Sequence, residues 1–342
     1  MEACLYETID RERVQCNLCH HRCGIKPGGR GICQVRRNDQ GTLTTLVYGQ
    51  LIAQHVDPIE KKPMFHFMPG SRSYSIATVG CNFRCSFCQN ADIAQMPRDR
   101  EGLVMGAACT PEAVVDNAQR QRCQSIAYTY TEPTVYFEFA METAKIAAAR
   151  GIKNIFVTNG YMTADALDMA ASWLDGANVD LKAFNDDFYK KQCGARLEPV
   201  KSSLRKMKAL GILVEVTTLI IPGLNDEPQE LRDLAAFLVN DIGPETPWHI
   251  SRFHPTYRLV DRPVTPTDTL HRARDIGHQA GLRYVYVGNV PGEDGENTSC
   301  HACGAFLIER WGFTIQRNRV TSDNRCPDCG VPVYGIKMGK RT

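Results

Sequence analysis

The chain has 342 residues, of which 43% are hydrophobic and 23% are charged, as in ordinary globular proteins. Its net charge of +2 argues against broad electrostatic capture of nucleic acid or membrane surfaces. The N-terminus is interrupted by charges, and no apolar run approaches about 18 residues, so no secretion signal or membrane span is expected. We therefore expect a cytoplasmic protein, in which clustered thiols indicate metal sites rather than disulfides.

The cysteines, 15 in number, fall into three spaced clusters and four isolated positions. The clusters comprise Cys16, Cys19, Cys23 and Cys33, then Cys81, Cys85 and Cys88, and finally Cys300, Cys303, Cys326 and Cys329. The isolated cysteines are Cys4, Cys109, Cys123 and Cys193. Because free cysteine behaves as a small apolar side chain, we expect the isolated four to be buried or half-buried.

Residues 1–40 are predicted to form a small metal-stapled knuckle. The spacing C-x2-C-x3-C-x9-C offers four ligands to one metal centre, with zinc ahead of an iron–sulfur cluster. Cys16-Asn-Leu-Cys19-His20 also matches a haem attachment pattern, but that chemistry needs export, which nothing in the sequence indicates. Residues 42–56 alternate as one or two strands would. A turn-rich connector follows, and the predicted first segment is 1–70.

Residues 71–292 alternate between strand-like and helix-like stretches, which predicts a parallel sheet. The predicted strands are 73–79, 125–130, 154–159, 178–182, 214–221, 248–253 and 284–289. The predicted helices are 111–122, 134–150, 163–174, 200–210, 227–240 and 266–281. About six such units favour an α/β fold with a partial (β/α)6, TIM-like barrel, while a doubly wound open sheet is the alternative.

Helix boundaries in this part carry their own signals. Thr110-Pro111 and Thr265-Pro266 predict helix starts, because a hydroxyl can cap the helix and proline suits its first turn. Gly151, Gly211 and Gly281 stand where helices are expected to end.

The cluster Cys81-x3-Cys85-x2-Cys88 directly follows the first predicted strand of the barrel. Its thiolates are therefore expected at the carboxyl end of the sheet, where reactive groups collect in parallel barrels. A four-iron cluster held by three cysteines leaves one iron free for a non-protein ligand. The alternative is a distant fourth cysteine that completes an ordinary zinc or cluster site.

Two charged residues at a strand end are predicted to face the barrel interior. Asp180 and Lys182 are two apart and share one face, while Val179 and Leu181 can face the outer helices. Burying a charge in the interior is costly unless the charge is paired or binds a ligand. We expect these two charges to bind a ligand, and a purely structural ion pair is the alternative. His249 lies deeper in its strand and is expected to be a core histidine whose ring nitrogens are hydrogen-bonded.

Residues 293–342 break the alternation and form the third predicted segment. Two C-x2-C knuckles separated by 22 residues, each followed by glycine, fit one tetrahedral site. We expect a structural zinc ribbon, with an auxiliary iron–sulfur cluster as the alternative.

The central cluster resembles the signature of radical S-adenosylmethionine (radical SAM) enzymes, with an aromatic residue before the last cysteine. The similarity continues in TYTEP at 129–133, VTNG at 157–160, DLK at 180–182, LIIPGLND at 219–226 and FHP at 253–255. It implies a [4Fe-4S] cluster on the three cysteines and bound S-adenosylmethionine (SAM). The implied SAM contacts are Phe87, Thr129, Thr131, Glu132, Thr158, Asn159, Asp180, Lys182 and His254. Among them, Phe87 would cover the adenine and Asn159 would hydrogen-bond the ribose. TYTEP departs from the family's Gly-Gly-Glu-Pro by lacking both glycines, and Thr129 and Thr131 can offer hydroxyls instead.

Over nearly the whole chain, the sequence is similar to AmmeMemoRadiSam-system radical SAM enzymes, relatives of the pyruvate formate-lyase activating enzymes. The segments that carry this resemblance include CNLCHHRCGIKPGGRGICQVRRN, YGQLIAQHVDPIEKKPMFHFMPG, VDLKAFND, SRFHPTYRL and YVYVGNVPG. It implies a flavodoxin or ferredoxin as electron donor, and Memo-family or other proteins of that system as partners. Three kinds of substrate are possible: a glycine on a partner enzyme, as for an activase; a small molecule; or another protein. An RNA-binding or RNA-modifying protein is the alternative from another class, and the net negative charge of the middle of the chain disfavours it.

Overall fold

The computed structural model describes residues 1–290 and 294–339. Five short strands form the N-terminal segment: β1 (Tyr6–Asp10), β2 (Arg13–Cys16), β3 (Gly24–Ile25), β4 (Arg36–Asp39) and β5 (Thr42–Thr45). The first three make an antiparallel sheet, and β4 and β5 make a hairpin. This segment shares a hydrophobic core with the rest of the chain through buried residues such as Val14, Val35 and Leu43.

An eight-stranded sheet forms the centre of the molecule. The next strands along the chain are β6 (Gln50–Leu51), β7 (Ala53–Pro58), β8 (Arg72–Ala77), β9 (Ala107–Ala108), β10 (Ser125–Tyr128), β11 (Lys153–Thr158), β12 (Gly176–Asp180), β13 (Leu213–Ile220), β14 (Trp248–Arg252) and β15 (Val285–Gly288). The sheet order is β15-β14-β13-β12-β11-β10-β8-β7. All neighbours are parallel except β7, which pairs antiparallel with β8, and the short β6 pairs separately with β9.

Helices connect the parallel strands. They are α1 (Ala91–Ala94), α2 (Met96–Asp99), α3 (Pro111–Arg120), α4 (Phe137–Ala149), α5 (Ala164–Ala170), α6 (Asp186–Phe188), α7 (Leu197–Ala209), α8 (Pro228–Phe237) and α9 (Thr267–Ala280). Short 3-10 turns occupy Ile59–Lys61, Pro133–Tyr136 and Asp294–Glu296, and π turns occupy Tyr189–Cys193 and Leu238–Ile242. The strand order never reverses, and right-handed crossovers in one direction place the long connecting helices α3, α4, α5, α7, α8 and α9 on one face of the sheet. The predicted partial barrel is confirmed, and the doubly wound alternative is wrong because it requires a reversal of strand order.

The boundary signals act largely as their residue types predict. The Thr110 hydroxyl accepts a hydrogen bond from Ala113 N at 3.2 Å and caps α3. Gly151, Gly211 and Gly281 have φ of +75°, +75° and +106°, which a residue with a Cβ adopts only with strain. Thr265 differs: its hydroxyl donates to Ile220 O at 2.6 Å, so it fixes the end of β13 rather than capping α9.

The last part of the chain builds a second, small core. Strands β16 (Thr298–Ser299), β17 (Phe306–Trp311) and β18 (Thr314–Asn318) form an antiparallel sheet. Leu307, Ile308, Val320, Val333 and Met338 pack together as a cluster separate from the main core. The predicted division into three segments stays a prediction: β7 precedes residue 70 yet belongs to the central sheet, and the boundary at 292/293 lies outside the described residues.

Residues 42–56 contain three strands, β5, β6 and β7, rather than the one or two predicted. Within the described residues, no helix combines the length and the apolar character needed to cross a bilayer.

Candidate active site

A cavity of about 460 Å³ lies at the carboxyl end of the parallel sheet, where the ends of all its parallel strands contribute to the wall. Most of the site residues predicted from the sequence line it. They are Cys81, Cys85, Phe87, Cys88, Thr129, Thr131, Glu132, Thr158, Asn159, Asp180 and Lys182. The strand-end positions inferred from the sequence thus converge on one volume of the size that enclosed ligands occupy.

The three central cysteines are buried or half-buried and share one side of this cavity. Burial together with Glu132 raises the pKa of Cys81 well above its ordinary value, and burial together with Cys85 raises the pKa of Cys88 to about 11. Backbone N–H groups point at the sulfurs, as where Phe83 N donates to Cys81 Sγ at 3.3 Å. Such thiols ionise when a metal supplies positive charge, so this donor set fits an iron–sulfur cluster.

Cys193 lies beside Cys85, and sequence reasoning missed this contact. A hydrogen bond from Cys193 lowers the pKa of Cys85, while burial raises that of Cys193 well above its ordinary value. Cys81, Cys85 and Cys88 line the cavity, whereas Cys193 is not among its lining residues. Cys193 is therefore placed to donate a hydrogen bond to the thiolate of Cys85.

Glu132 holds the chain segments after β10 and β11 together. Its buried carboxylate accepts hydrogen bonds from Thr134 N at 3.1 Å, Thr158 Oγ1 at 2.7 Å and Asn159 N at 2.8 Å. Burial raises the pKa of Glu132, and these donors oppose that rise. The Glu of TYTEP thus holds the loops after β10 and β11 at a fixed separation.

The amide of Asn159 reaches the cysteine loop. Its Nδ2 donates to Asn82 Oδ1 at 2.7 Å and lies 3.9 Å from Cys81 Sγ, while its Oδ1 accepts from Tyr161 N at 3.2 Å. The predicted ribose contact stays a prediction. The structure adds a positioning function, because Asn159 couples the β11 loop to the loop that carries the three cysteines.

Thr129 and Thr131 flank a strained residue. Tyr130 between them has φ of +62°, the left-handed region that glycine adopts freely and a bulky aromatic rarely does. The Thr131 hydroxyl donates its proton to Thr78 O at 2.9 Å. Its oxygen is therefore left to accept a hydrogen bond from an ammonium group. TYTEP therefore reaches, with strain, a backbone shape that Gly-Gly-Glu-Pro reaches without it.

Asp180 and Lys182 form an ion pair inside the cavity, with Nζ 2.9 Å from Oδ2. Val179 and Leu181 are fully buried on the other side, which confirms the predicted orientation. Burial opposes the charge on Lys182, but Asp180 and Cys85 outweigh it and its pKa is raised well above the ordinary value. The ammonium also lies 5.8 Å from the centre of the Phe87 ring.

His254 does not join this group. Its side chain is exposed and is not among the residues that line the cavity, so its predicted SAM contact stays a prediction without support from the geometry. His249 is buried, as expected, with its Nε2 2.7 Å from Glu215 Oε2.

The far side of the cavity carries a second charged group that the sequence did not reveal. Lys62 Nζ lies 2.7 Å from Asp57 Oδ2 and 4.3 Å from the centre of the Tyr130 ring. The Tyr130 hydroxyl also donates to Asp57. Burial lowers the pKa of Lys62 to about 8. The pKa of Asp57 is held well below its ordinary value, because hydrogen bonds from Lys62, Tyr130 and Lys61 outweigh burial.

Below this group, a buried chain of hydrogen bonds joins the connector to the C-terminal segment. His66 Nδ1 donates to Tyr334 O at 2.6 Å, and its Nε2 accepts from Tyr286 at 2.7 Å. The Tyr286 hydroxyl forms a hydrogen bond with Thr298 Oγ1 at 2.8 Å, and Thr298 Oγ1 also accepts a hydrogen bond from Arg310. Burial lowers the pKa of His66 to about 4, so the ring is neutral near neutral pH.

The C-terminal cysteines form a compact four-thiol site. Cys300 Sγ lies 3.6 Å from Cys329 Sγ, and Cys303 Sγ lies 3.8 Å from Cys326 Sγ. A tetrahedral ion with metal–sulfur bonds of about 2.3 Å holds its sulfurs about 3.8 Å apart. Burial opposes ionisation of Cys326, but the N–H groups of Cys329 and Asp328 lower its pKa to about 7. The two knuckles are thus placed to bind one metal ion.

The remaining cysteines are placed as follows. Cys16, Cys19, Cys23 and Cys33 surround one small cavity near the cysteine loop. The isolated Cys123 and Cys193 are buried and Cys4 and Cys109 half-buried, which confirms the expectation for them.

Comparison with known proteins agrees with the geometry. Residues 75–235 match the family model described as Radical SAM superfamily. The chain is 47% identical to Uncharacterized protein MJ0808 of Methanocaldococcus jannaschii, over 97% of this chain and 98% of that protein. It is 25% identical to the pyruvate formate-lyase-activating enzyme of Clostridium pasteurianum, over 50% of this chain and 71% of that enzyme.

Among solved structures, a radical SAM methyltransferase from Sphaerobacter thermophilus has the same fold. The TM-score is 0.52 at 18% identity, over 70% of this chain and 71% of that chain. The chain is a radical SAM superfamily protein of the same family as MJ0808, with relatives among the pyruvate formate-lyase activating enzymes.

Proposed function

We propose that this protein cleaves SAM reductively at a [4Fe-4S] cluster held by Cys81, Cys85 and Cys88. The observation that supports this most directly is the convergence of the three thiols with Asp180 and Lys182 in one cavity. Cys81, Cys85 and Cys88 would hold the cluster and leave room for SAM beside it, and the cluster would supply the one electron needed to split the sulfonium of SAM into methionine and a 5′-deoxyadenosyl radical.

The protein's own residues orient SAM and exclude water. Lys182 places a positive charge near the thiolates, where the SAM carboxylate would lie, and Asp180 fixes its position. The lone pairs of Thr131 and the fixed strand ends around Glu132 are suited to receive the ammonium group. Phe87 is 4% exposed and supplies an apolar wall for the adenine. These contacts position the C–S bond and keep the reaction from water.

We assign the substrate to the far side of the cavity, beside Lys62 and Tyr130. A cavity of about 460 Å³ leaves limited room beyond SAM, which favours a small molecule or a short protein loop. The relationship to pyruvate formate-lyase activating enzymes favours a glycine in such a loop as the second candidate. Membership of the AmmeMemoRadiSam system, with a Memo-family partner, rests on the sequence resemblance. So does a ferredoxin or flavodoxin as reductant, whereas a cytoplasmic location is proposed from the lack of a predicted secretion signal or membrane span.

We propose zinc for the C-terminal site. Sulfur separations of 3.6 and 3.8 Å support a single tetrahedral ion, and four thiolates with no open position are typical of structural zinc.

The proposed reaction is tested by anaerobic reconstitution with iron and sulfide, addition of SAM and dithionite, and measurement of 5′-deoxyadenosine. The wild-type protein is expected to form it, and Cys85→Ala to lose it. Cys109→Ser, a half-buried cysteine outside the clusters, serves as the control and should keep the activity. No product above the Cys85→Ala background from a cluster-replete sample would contradict the proposal.

A further inference from the structure

The four N-terminal cysteines converge on one small cavity of about 20 Å³. Cys16 is 6% exposed, and Cys19, Cys23 and Cys33 are half-buried. Leu18 and Ile25 complete much of the wall. Four thiols around one pocket are the donor set of a metal centre, and the proposed SAM chemistry does not use them.

The spacing of the sulfurs separates this site from the C-terminal one. In residues 1–290 and 294–339, the C-terminal four are the only set of three or more His, Cys, Asp or Glu ligand atoms that all lie within 4.8 Å of one another. The N-terminal sulfurs are therefore spread more widely than a single tetrahedral ion requires. Cys81, Cys85 and Cys88 share this wider spread, which a cluster of several irons needs because it is larger than one ion.

Arg36 supplies a second, independent observation. It lines the same cavity, it is 2% exposed, and its Nε has no hydrogen-bond partner among the described residues. Its Nη2 pairs with the buried Glu138, which fixes the guanidinium in place. A buried donor without a partner is costly, and an anionic cluster in the cavity that Arg36 lines would offset that cost. One sulfur of the set already accepts a backbone hydrogen bond, because Ile32 N donates to Cys23 Sγ at 3.5 Å.

The N-terminal site directly contacts the loop of the central cysteines. His21 Nε2 lies 2.8 Å from Asn82 O, and Asn82 directly follows Cys81. A Cβ added to Gly80 would lie 3.3 Å from the carbonyl oxygen of Cys33. Asn82, which accepts the hydrogen bond from His21, also lines the N-terminal cavity, so the two sets of cysteines are neighbours.

Arg98 adds a further link between them, because it donates to Ile32 O at 2.9 Å and to Phe83 O at 3.2 Å.

We propose that Cys16, Cys19, Cys23 and Cys33 hold a second [4Fe-4S] cluster, which relays electrons to the cluster at Cys81, Cys85 and Cys88. A low-potential ferredoxin- or flavodoxin-type protein gives it one electron. It passes that electron to the central cluster and returns to its oxidised state, so no electron is gained or lost in a cycle. The relay rests on the proposed function, whereas the presence of the second cluster does not.

The site is tested without altering it, in the full-length variant C81A/C85A/C88A reconstituted anaerobically. About four irons and four sulfides per chain are expected in this variant, against about eight of each in the wild type. Dithionite should produce an electron paramagnetic resonance signal of a reduced cluster in the variant. Addition of Cys19→Ser and Cys33→Ser should abolish both the iron and the signal, whereas addition of Cys109→Ser should change neither.

The metal analysis also separates the two proposals. A triple variant without iron but with two zinc ions would overturn the second cluster and leave the proposed function intact. Equal iron in the triple variant and the wild type would instead contradict the proposed function and leave the N-terminal cluster standing.

The relay has its own test, in the otherwise wild-type variant C19S/C33S. With a flavodoxin and its reductase, 5′-deoxyadenosine formation should fall at least tenfold, while direct reduction by dithionite should restore most of it. In the wild type, the resonance signals of the two reduced clusters should broaden each other. Equal rates in the variant and wild type with both reductants, or unbroadened signals, would overturn the relay.

Discussion

Lys182 Nζ lies 2.9 Å from Asp180 Oδ2, and both groups face the cavity beside the thiol of Cys85. The side chain of Lys182 is 15% exposed, so its charge is only partly screened by water. A partly buried cation next to thiolates and one carboxylate is placed to receive a second anion. The carboxylate of SAM is the anion that the proposed function supplies.

Replacement of Lys182 by Met should weaken SAM binding at least tenfold, or about 1.4 kcal/mol. The reason is that Asp180 would then lie unpaired where the SAM carboxylate is expected. Equilibrium binding of SAM to the reconstituted protein measures the change. Lys190→Met removes an exposed ion pair with Asp186 and is the matched control, with no expected effect. Unchanged affinity in Lys182→Met would show that the pair is purely structural.

Glu132→Gln should lower the free energy of unfolding by about 2 kcal/mol. The amide NH2 of Gln would face Asn159 N–H, which now donates to the carboxylate at 2.8 Å, so one buried donor would lose its acceptor. Urea denaturation measures the loss. Glu198→Gln breaks exposed ion pairs only and should change stability by less than about 1 kcal/mol. Equal effects in the two variants would contradict the organising role of Glu132.

The stability of the protein should depend on pH through His66. Its pKa is about 4 in the folded chain, so below the ordinary value of about 6.5 the unfolded chain binds more protons than the folded one. The stabilisation that the neutral His66 contributes is fully present above pH ~6.5 and decreases as the pH falls towards 4. Between pH 7.5 and 5 the loss should be about 2 kcal/mol, and His66→Gln should lack that share. The same pH dependence in the variant and the wild type would refute this assignment.

Loss of the C-terminal metal should open the small core around Leu307 and Val320. A core of this size has little stability of its own, so the metal supplies much of its folding free energy. We expect Cys326→Ser to lose one zinc per chain and to be cleaved by protease within 300–339 faster than the wild type. Cys123→Ser, also at a buried cysteine, is the control and should keep the zinc and the resistance. Equal cleavage of the two variants would argue against a structural metal.

Much of the barrel was predictable because the parallel strands are buried on both faces and the helices carry local boundary signals. The positions of Asp180 and Lys182 followed from the two-residue period of a strand. Residues that meet across long stretches of chain were not predictable. Glu215 accepts hydrogen bonds from Phe65 N and His66 N, which lie about 150 residues earlier. A carboxylate inside a strand with no other charged residue was the only local signal of that contact.

The second charged group of the cavity was missed for the same reason. Tyr130 and Asp57 are 73 residues apart, and they meet because β8 pairs with β7 on one side and with β10 on the other. The contact between Cys85 and Cys193 depends on the π turn Tyr189–Cys193, which has no distinctive residue pattern. Spacing can identify ligand sets, but the partners that surround them depend on the tertiary fold.

The sheet ends at β7 on one side and at β15 on the other, and no backbone ladder joins these two edges in the described residues. The connector that follows β7 forms the seam between them: His66 bonds Tyr286 of β15, Phe65 O accepts from Arg310 of β17 at 3.1 Å, and His66 O accepts from Ile336 N at 2.9 Å. Such a seam can separate locally without disrupting strand pairing, so we expect the barrel to dilate there rather than elsewhere. A protein loop too wide for the resting cavity would then enter through this seam, and the metal-bound ribbon would limit how far it opens.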